Sequence, residues 1–133
     1  MRNKPCLTAA DVKIMLAACE AEAARNKWAV ATAIVDDGGC LIGFSRMDGV
    51  GPISSEVAIG KARTSALTRR PSKVFEDRVK DRPAFVSFPA GVLIQGALPV
   101  MHQNECVGAI GVSGVQSHED EQVALAGVNA LGG

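Results

Sequence analysis

The chain has 133 residues, of which 47 % are hydrophobic and 21 % are charged, and its net charge at neutral pH is zero. This length and composition are typical of one globular domain, which we expect to span residues 1–133. Because the charge is balanced, we expect neither nucleic acid nor a membrane surface as a partner.

The first predicted helix runs from Thr8 to Arg25. Thr8 can cap it, and Asp11 stands three residues later, as in a capping box. The helix carries an apolar face, which consists of Val12, Met15, Leu16, Cys19 and Ala23. This spacing places the residues on one side of a helix, so the face should lie against the core.

Two strands should follow, joined by a tight turn. The nearly continuous apolar run over residues 28–35 predicts a buried strand. The sequence 36–39, Asp-Asp-Gly-Gly, is typical of a hairpin turn. Residues 40–47 then form the returning strand.

Two helices and an irregular segment come next. Residues 53–68 carry small and apolar residues at helical spacing, and Pro71 ends this second helix. Ser72 can cap a short third helix. Residues 82–90 contain two prolines and two phenylalanines, which predicts irregular structure.

The last part of the chain predicts three more strands and a helix. A short strand is expected at residues 91–94, and longer ones at 97–102 and 105–113 with a turn between them. The final helix should start at Ser117, with Asp120 in the capping-box position, and end near Ala130. Together these elements predict an α/β protein of the α+β type, with a five-stranded antiparallel sheet flanked by helices.

The cysteines bear on cofactors and on location. Cys6, Cys19, Cys40 and Cys106 show no CxxC or CxxCH spacing, which argues against a zinc ribbon and against covalently attached haem. Cys19 and Cys40 lie in apolar patterns and should be core residues. Reduced thiols and the absence of an 18-residue apolar run or a leader-like start lead us to expect a cytoplasmic protein.

Several stretches together resemble the GlcG/HbpS-like family. They are the opening LTxxDV, residues 34–39, Arg46-Met47-Asp48-Gly49, residues 58–64, the glycine-rich run 108–114 and the closing DEQVALAG. This family includes haem-binding sensors, proteins encoded beside glycolate oxidase and the C-terminal domain of PduO-type adenosyltransferases. The resemblance implies a profilin-like or roadblock-like fold and assembly as a homo-oligomer, from dimer to octamer. It does not imply one chemistry, because one fold hosts many functions.

Two histidines could supply an imidazole to haem iron. His102 ends a predicted strand beside a turn, where it could border a pocket, whereas His118 lies on the polar first turn of the last helix. His102 is therefore the candidate metal ligand, for haem iron only, and an exposed turn histidine is the alternative. The first helix carries no histidine. If a member of this family binds haem through an imidazole of that helix, this chain lacks the ligand, which weakens the case for haem.

A charged set surrounds the second strand and the second helix. Arg46 ends a largely apolar strand, and Lys61 lies near an apolar stripe, so each needs an anionic partner. The partner could be internal, as in a pair of Arg46 with Asp48 or Glu56, or it could belong to another subunit. The functional alternative is that Arg46 or Lys61 holds a small organic acid or a haem propionate.

The segment around Phe88 and Gly91 completes the predicted ligand-binding set. Aromatic side chains beside glycine in a loop often line pockets, although they also close off cores. We therefore expect the ligand to be a small anion or a tetrapyrrole, and haem is the only cofactor that we expect. The ligand would bind between the second helix, this loop and a neighbouring subunit. The ligand-binding candidates are Arg46, Lys61, Phe88, Gly91 and His102.

An enzymatic function is the alternative to ligand binding. A small cofactor-independent enzyme of hydroxy-acid or aromatic-acid catabolism could use Lys61 or His102 as acid or base, tuned by Glu56 or Glu105. The sequence contains no Ser-His-Asp order, HExxH motif or P-loop that would favour a particular reaction. A structural subunit without a ligand is the third hypothesis.

Overall fold

The sheet has four antiparallel strands, in the order β2-β1-β4-β3. In the computed structural model, which describes residues 1–132, the strands are β1 (Ala31–Asp36), β2 (Leu41–Arg46), β3 (Ala97–His102) and β4 (Glu105–Ser113). The helices are α1 (Ala9–Arg25), α2 (Ile53–Thr68), α3 (Lys73–Asp81) and α4 (Ser117–Asn129), with a short 3-10 helix at Pro83–Ser87. The chain thus forms a single α+β domain, as predicted.

The fifth strand predicted at residues 91–94 is wrong. This segment is a loop that lies on α2: the backbone N–H of Val92 donates to the carbonyl of Gly60 at 3.1 Å, and Thr64 Oγ1 donates to the carbonyl of Val92 at 2.8 Å. The backbone of the loop is therefore hydrogen-bonded to a helix and not to a neighbouring strand, which the apolar pattern of the segment could not reveal.

The two faces of the sheet are covered differently. On one face, α1 and α4 pack on a core of larger side chains, among them Met15, Ile34, Ile110 and Val123. On the other face, α2 packs on β1 and β4 through small residues, which are Ala31, Ala33, Ala58, Ala62, Ala66 and Ala109, together with Val35. Alanines bring a helix close to a sheet but bury little apolar area for each residue.

The N-terminal cap of α1 is the one that the sequence predicted, whereas the cap of α4 uses other residues. At α1 the predicted capping box is confirmed, with Thr8 Oγ1 accepting from Asp11 N and Asp11 Oδ2 accepting from Thr8 N. At α4 the predicted cap is wrong, because the capping box uses Gln116 and Glu119 in place of Ser117 and Asp120. Asp120 is instead turned into the protein interior.

Of the two cysteines predicted to lie in the core, one is buried and the other is not. Cys19 is fully buried between the helices, and burial raises the pKa of its thiol to about 12. The prediction for Cys40 is wrong, since this residue is exposed at the hairpin turn, where its N–H donates to Asp36 Oδ1. No helix of the described residues is both long enough and apolar enough to cross a membrane.

Candidate functional site

A cavity of about 270 Å³ opens beside the His102 end of β3. The segment that precedes α1 forms one wall, β3 and β4 form the second, and the end of α4 forms the third. The lining residues are Pro5, Cys6, Leu7, Asp11, Val100, Met101, His102, Val107, Val128, Asn129 and Leu131. Most of these are apolar, so the cavity suits a flat or aliphatic ligand body with a polar group at its mouth.

His102 lies at the mouth of this cavity. It is the last residue of β3 and is paired across the hairpin with Glu105. The two turn residues, Gln103 and Asn104, have positive φ angles of 50° and 65°, which is typical of a tight hairpin. Because the turn holds the strand end and the imidazole is exposed, His102 can meet a ligand without a backbone rearrangement.

Two ion pairs lie near residues that line the cavity, one beside His102 and one beside Pro5. Arg2 forms an ion pair with Glu105, and Lys4 forms one with Asp37. These two pairs attach the segment before α1 to the sheet. Both cations remain partly exposed, with 67 % of the Arg2 side chain and 46 % of the Lys4 side chain open to solvent. Neither side chain lines the cavity, and each cation already has a carboxylate partner, so an anionic ligand group would share the cation with that partner.

Asp11 contributes a carboxylate to the cavity wall. Its hydrogen bonds with Thr8 lower the pKa of the carboxyl group, and the nearby His102 lowers it further. Asp11 is therefore ionised at neutral pH. Since one of its oxygens already accepts from Thr8 N at 2.8 Å, the carboxylate serves the helix cap first and is available to a ligand only in part.

Lys61 is buried and has partners inside the chain. Its ammonium group lies 3.1 Å from Asp120 Oδ2 and donates to the carbonyl of Val112 at 3.0 Å. The side chains of Lys61 and Asp120 are 3 % and 2 % exposed. Burial raises the pKa of Asp120, while Lys61 and the N–H of Val115 act in the opposite direction. The anionic partner that the sequence required for Lys61 is thus Asp120.

Lys61 and His102 are not brought together. A Cβ atom on Gly96 would lie only 2.6 Å from Lys61 Nζ, so Lys61 is at the start of β3. His102 ends the same strand, six residues further on, which corresponds to roughly 20 Å of extended chain. Glu56 is exposed on the first turn of α2. Lys61 and Glu56 therefore do not share a site with His102, whereas Glu105, the other residue expected to tune an acid or base, lies across the hairpin from His102.

Arg46 is at the sheet edge, away from the cavity. It is the last residue of β2 and lies across from Ala31. Its side chain is exposed, and among residues 1–132 it forms no ion pair, neither with Asp48 nor with Glu56. The internal pairing considered for Arg46 is therefore wrong, and the cation is free to meet another molecule.

Phe88 and Gly91 belong to a third location. Phe88 stacks on Phe75 with ring centroids 5.4 Å apart and is 40 % exposed. It borders an open surface depression of about 300 Å³ that is also lined by Phe85 and Arg82. Gly91 lies on α2, close to Gly60 and Thr64. The five predicted ligand-binding residues thus occupy separate places, and only His102 lines the cavity beside β3.

The other cavity residues were missed by the sequence reasoning. No motif in the sequence indicated that Leu7, Val128 and Leu131 would line a cavity. Within residues 1–132, no three His, Cys, Asp or Glu side chains converge to hold a metal ion. The role of His102 as a ligand of haem iron stays a prediction.

The comparisons with known proteins agree in family and fold. The family described as haem degrading protein, HbpS-like, matches residues 7–129. Protein GlcG of Escherichia coli K12 is 40 % identical over 114 residues, which cover 85 % of each chain. An uncharacterised 15.0 kDa protein encoded between dhaT and dhaS in Citrobacter freundii is 29 % identical and covers 89 % of this chain and 87 % of its own.

Solved structures extend this similarity. A double mutant of HbpS from Streptomyces reticuli superposes with a TM-score of 0.93 at 30 % identity, covering 100 % of this chain and 92 % of that one. A complex of PduOC with haem superposes with a TM-score of 0.88 at 22 % identity, covering 95 % of both chains; at that identity the likeness shows the fold alone. The chain belongs to the HbpS-like family.

Proposed function

We propose that this protein binds a small ligand, a haem or related tetrapyrrole, in the cavity beside β3. The observation that carries the proposal is the position of His102 at the mouth of an apolar cavity, since haem binding requires an iron ligand beside an apolar wall. Membership of a family described by haem degradation supports the same ligand class.

The dimensions of the cavity restrict how such a ligand would bind. A cavity of about 270 Å³ lies just below the range of about 300–1,000 Å³ that is usual for small-molecule sites. A tetrapyrrole is larger than this cavity, so Val107 and Val128 would hold only part of it. Arg2 and Lys4, near the mouth, would hold its carboxylate groups, and His102 would supply a ligand to its iron.

A small organic acid is the second ligand class for the same cavity. It would use Arg2 and Lys4 as the anion partners, in place of the Arg46 and Lys61 expected from the sequence, because those two residues lie at the other end of the sheet.

We also propose that the protein works as a homo-oligomer, as the thin alanine-rich layer beneath α2 suggests.

The test is a titration with haemin, followed by the Soret absorbance. The wild-type protein should give a saturable Soret shift, and His102→Ala should lose it. His118→Ala is the matched control, because His118 is also an exposed histidine and lies at the end of α4 away from the cavity, so this variant should behave as wild type. The unfolding free energy of His102→Ala should stay within about 0.5 kcal/mol of wild type, since the side chain is exposed.

Two outcomes would contradict the proposal. A titration without a Soret shift in the wild type would exclude the tetrapyrrole, and a thermal-shift screen of small carboxylates would then test the second ligand class. A Soret shift that His102→Ala retains and His118→Ala loses would move the iron ligand to the other histidine.

A further inference from the structure

The open depression beside Phe88 combines aromatic rings with a cation. Its volume is about 300 Å³, which is at the lower limit of the range of about 300–1,000 Å³ that is usual for small-molecule sites. We call it the α3 depression, because it lies where α3 ends and the 3-10 helix begins. Its lining residues are Arg82, Ala84, Phe85, Ser87, Phe88 and Pro89. The α3 depression therefore has room for a small molecule.

Two phenylalanine rings form the apolar part of the α3 depression. Phe88 stacks on the buried Phe75, with ring centroids 5.4 Å apart and an angle of 16° between the rings. Phe85 packs against Phe88 at a centroid distance of 5.6 Å. Because Phe75 is fixed in the interior, this stack holds Phe88 in place while much of its surface stays exposed. The two rings thus offer a stacking surface to a flat aromatic ligand.

Two exposed arginines pack on these rings without a carboxylate partner. The Cζ atom of Arg82 lies 5.4 Å from the centroid of the Phe85 ring, and that of Arg78 lies 5.8 Å from the same centroid. Stacking on an aromatic ring holds a guanidinium group in position. Neither arginine forms an ion pair with a side chain of residues 1–132. Arg82, which lines the depression, can therefore donate hydrogen bonds to an anion there.

The neighbouring charges leave the α3 depression with more cation than anion. Residues 73–82 carry seven charged side chains, which are Lys73, Glu76, Asp77, Arg78, Lys80, Asp81 and Arg82. Asp77 pairs with both lysines, and Glu76 accepts from the backbone N–H of Gln95 at 3.3 Å. Asp81 is exposed and forms no ion pair within residues 1–132. The charges that remain are two guanidinium groups and one carboxylate, and this balance favours an anionic ligand.

We propose that the α3 depression binds a small aromatic carboxylic acid, at a site separate from the cavity beside β3. The planar guanidinium group of Arg82 matches the two oxygens of a carboxylate, and the ring of the acid would stack on Phe85 or Phe88. The hydroxyl of Ser87 already donates to the carbonyl of Ala84 at 2.8 Å. The arginine therefore supplies the hydrogen bonds to the carboxylate, and the rings supply the apolar contact.

Benzoate is the test compound, and amide chemical shifts of the 15N-labelled protein locate where it binds. Benzoate should shift the amides of residues 84–88 saturably, with a dissociation constant of about 1 mM or tighter. Arg82→Ala should weaken binding about tenfold or more, because it removes a hydrogen-bonding partner of a charged group. Arg82→Lys keeps the charge but loses the planar fork, so it should restore only part of the affinity.

Matched controls separate the site from general charge effects. Arg70→Ala removes an exposed arginine that does not line the depression and should leave the affinity unchanged. Asp81→Asn removes the free carboxylate of α3 and should bind benzoate at least as tightly as wild type. Acetate has the carboxylate without the ring, and benzyl alcohol has the ring without the charge. Each should bind about tenfold or more weakly than benzoate, since each lacks one of the two contacts.

Each contrary result overturns a stated part of the proposal. Shifts that do not saturate at residues 84–88, or that are confined to residues lining the cavity beside β3, would overturn the site. Wild-type affinity in Arg82→Ala would overturn the role of the arginine. Inorganic phosphate or acetate binding as tightly as benzoate would overturn the aromatic class of ligand. Circular dichroism establishes that each variant is folded, and the haemin titration of His102→Ala tests the other cavity separately.

Discussion

The two ends of β3 have opposite surroundings, one closed and charged and the other open and apolar. At the Ala97 end, a lysine and an aspartate are buried and paired, and Gly96 packs directly on the lysine. At the His102 end, apolar side chains surround an open cavity with an exposed imidazole at its mouth. Burial makes charges expensive unless they are paired. The closed end therefore depends on both charged partners being present, whereas the open end retains groups that are available to a ligand.

The largest effect is expected at the closed end. Lys61→Ala would leave the Asp120 carboxylate buried without its cation, and the free energy of unfolding should fall by about 3–5 kcal/mol, measured by urea denaturation. The double variant Lys61→Met with Asp120→Leu removes both charges and should recover most of that loss. If Lys61→Ala cost less than about 1 kcal/mol, the contrast between the two ends of β3 would not hold.

A smaller effect, confined to binding, is expected at the open end. Val128→Phe places a larger apolar side chain into the cavity and should weaken ligand binding about tenfold or more, equivalent to about 1.4 kcal/mol. The measurement is the haemin titration described above. Leu125→Phe, an exposed position on the same helix, is the control. Unchanged binding by Val128→Phe would place the ligand elsewhere.

The smallest effect concerns the cap of α1, which forms part of the cavity wall. Thr8→Ala removes the cap and should cost about 1 kcal/mol of unfolding free energy in urea. It should also raise the pKa of Asp11 in part, because the Thr8 side chain is one cause of the lowering, while the backbone N–H of residue 8, which is the larger cause, remains in the variant. Nuclear magnetic resonance titration of the carboxyl group checks this expectation.

The sign of the associated pH dependence follows from the lowered pKa of Asp11. Stabilisation by this carboxylate is present above the pKa of the unfolded chain, near 3.8, and is lost as pH falls through the lower pKa of the folded state. Wild type should therefore lose more stability than Thr8→Ala over that acidic range. Equal losses would show that the Thr8 side chain does not contribute to the lowered pKa, which would then rest on the backbone N–H of residue 8.

The sequence predicted the elements better than the site. The bounds of α2, β3 and β4 follow from local periodicity, which depends on neighbouring residues alone. Asp120 was assigned to a helix cap because its spacing fits one, yet it pairs with Lys61, 59 residues away. Such a contact arises when elements dock and leaves no local pattern. The cavity was missed for the same reason, because its walls come from residues 5–11, 100–107 and 128–131.

The walls of the cavity come from distant parts of the sequence, and this affects when a ligand can bind during folding. Residues 5–7 and 128–131 complete the cavity only after α1, β3 and α4 have all docked on the sheet. Partly folded chains, in which either segment is detached, would lack the binding surface. A ligand in this cavity would therefore select the finished fold and raise its melting temperature in proportion to the logarithm of ligand concentration once that exceeds the dissociation constant. Occupancy would thus report that the chain has completed folding.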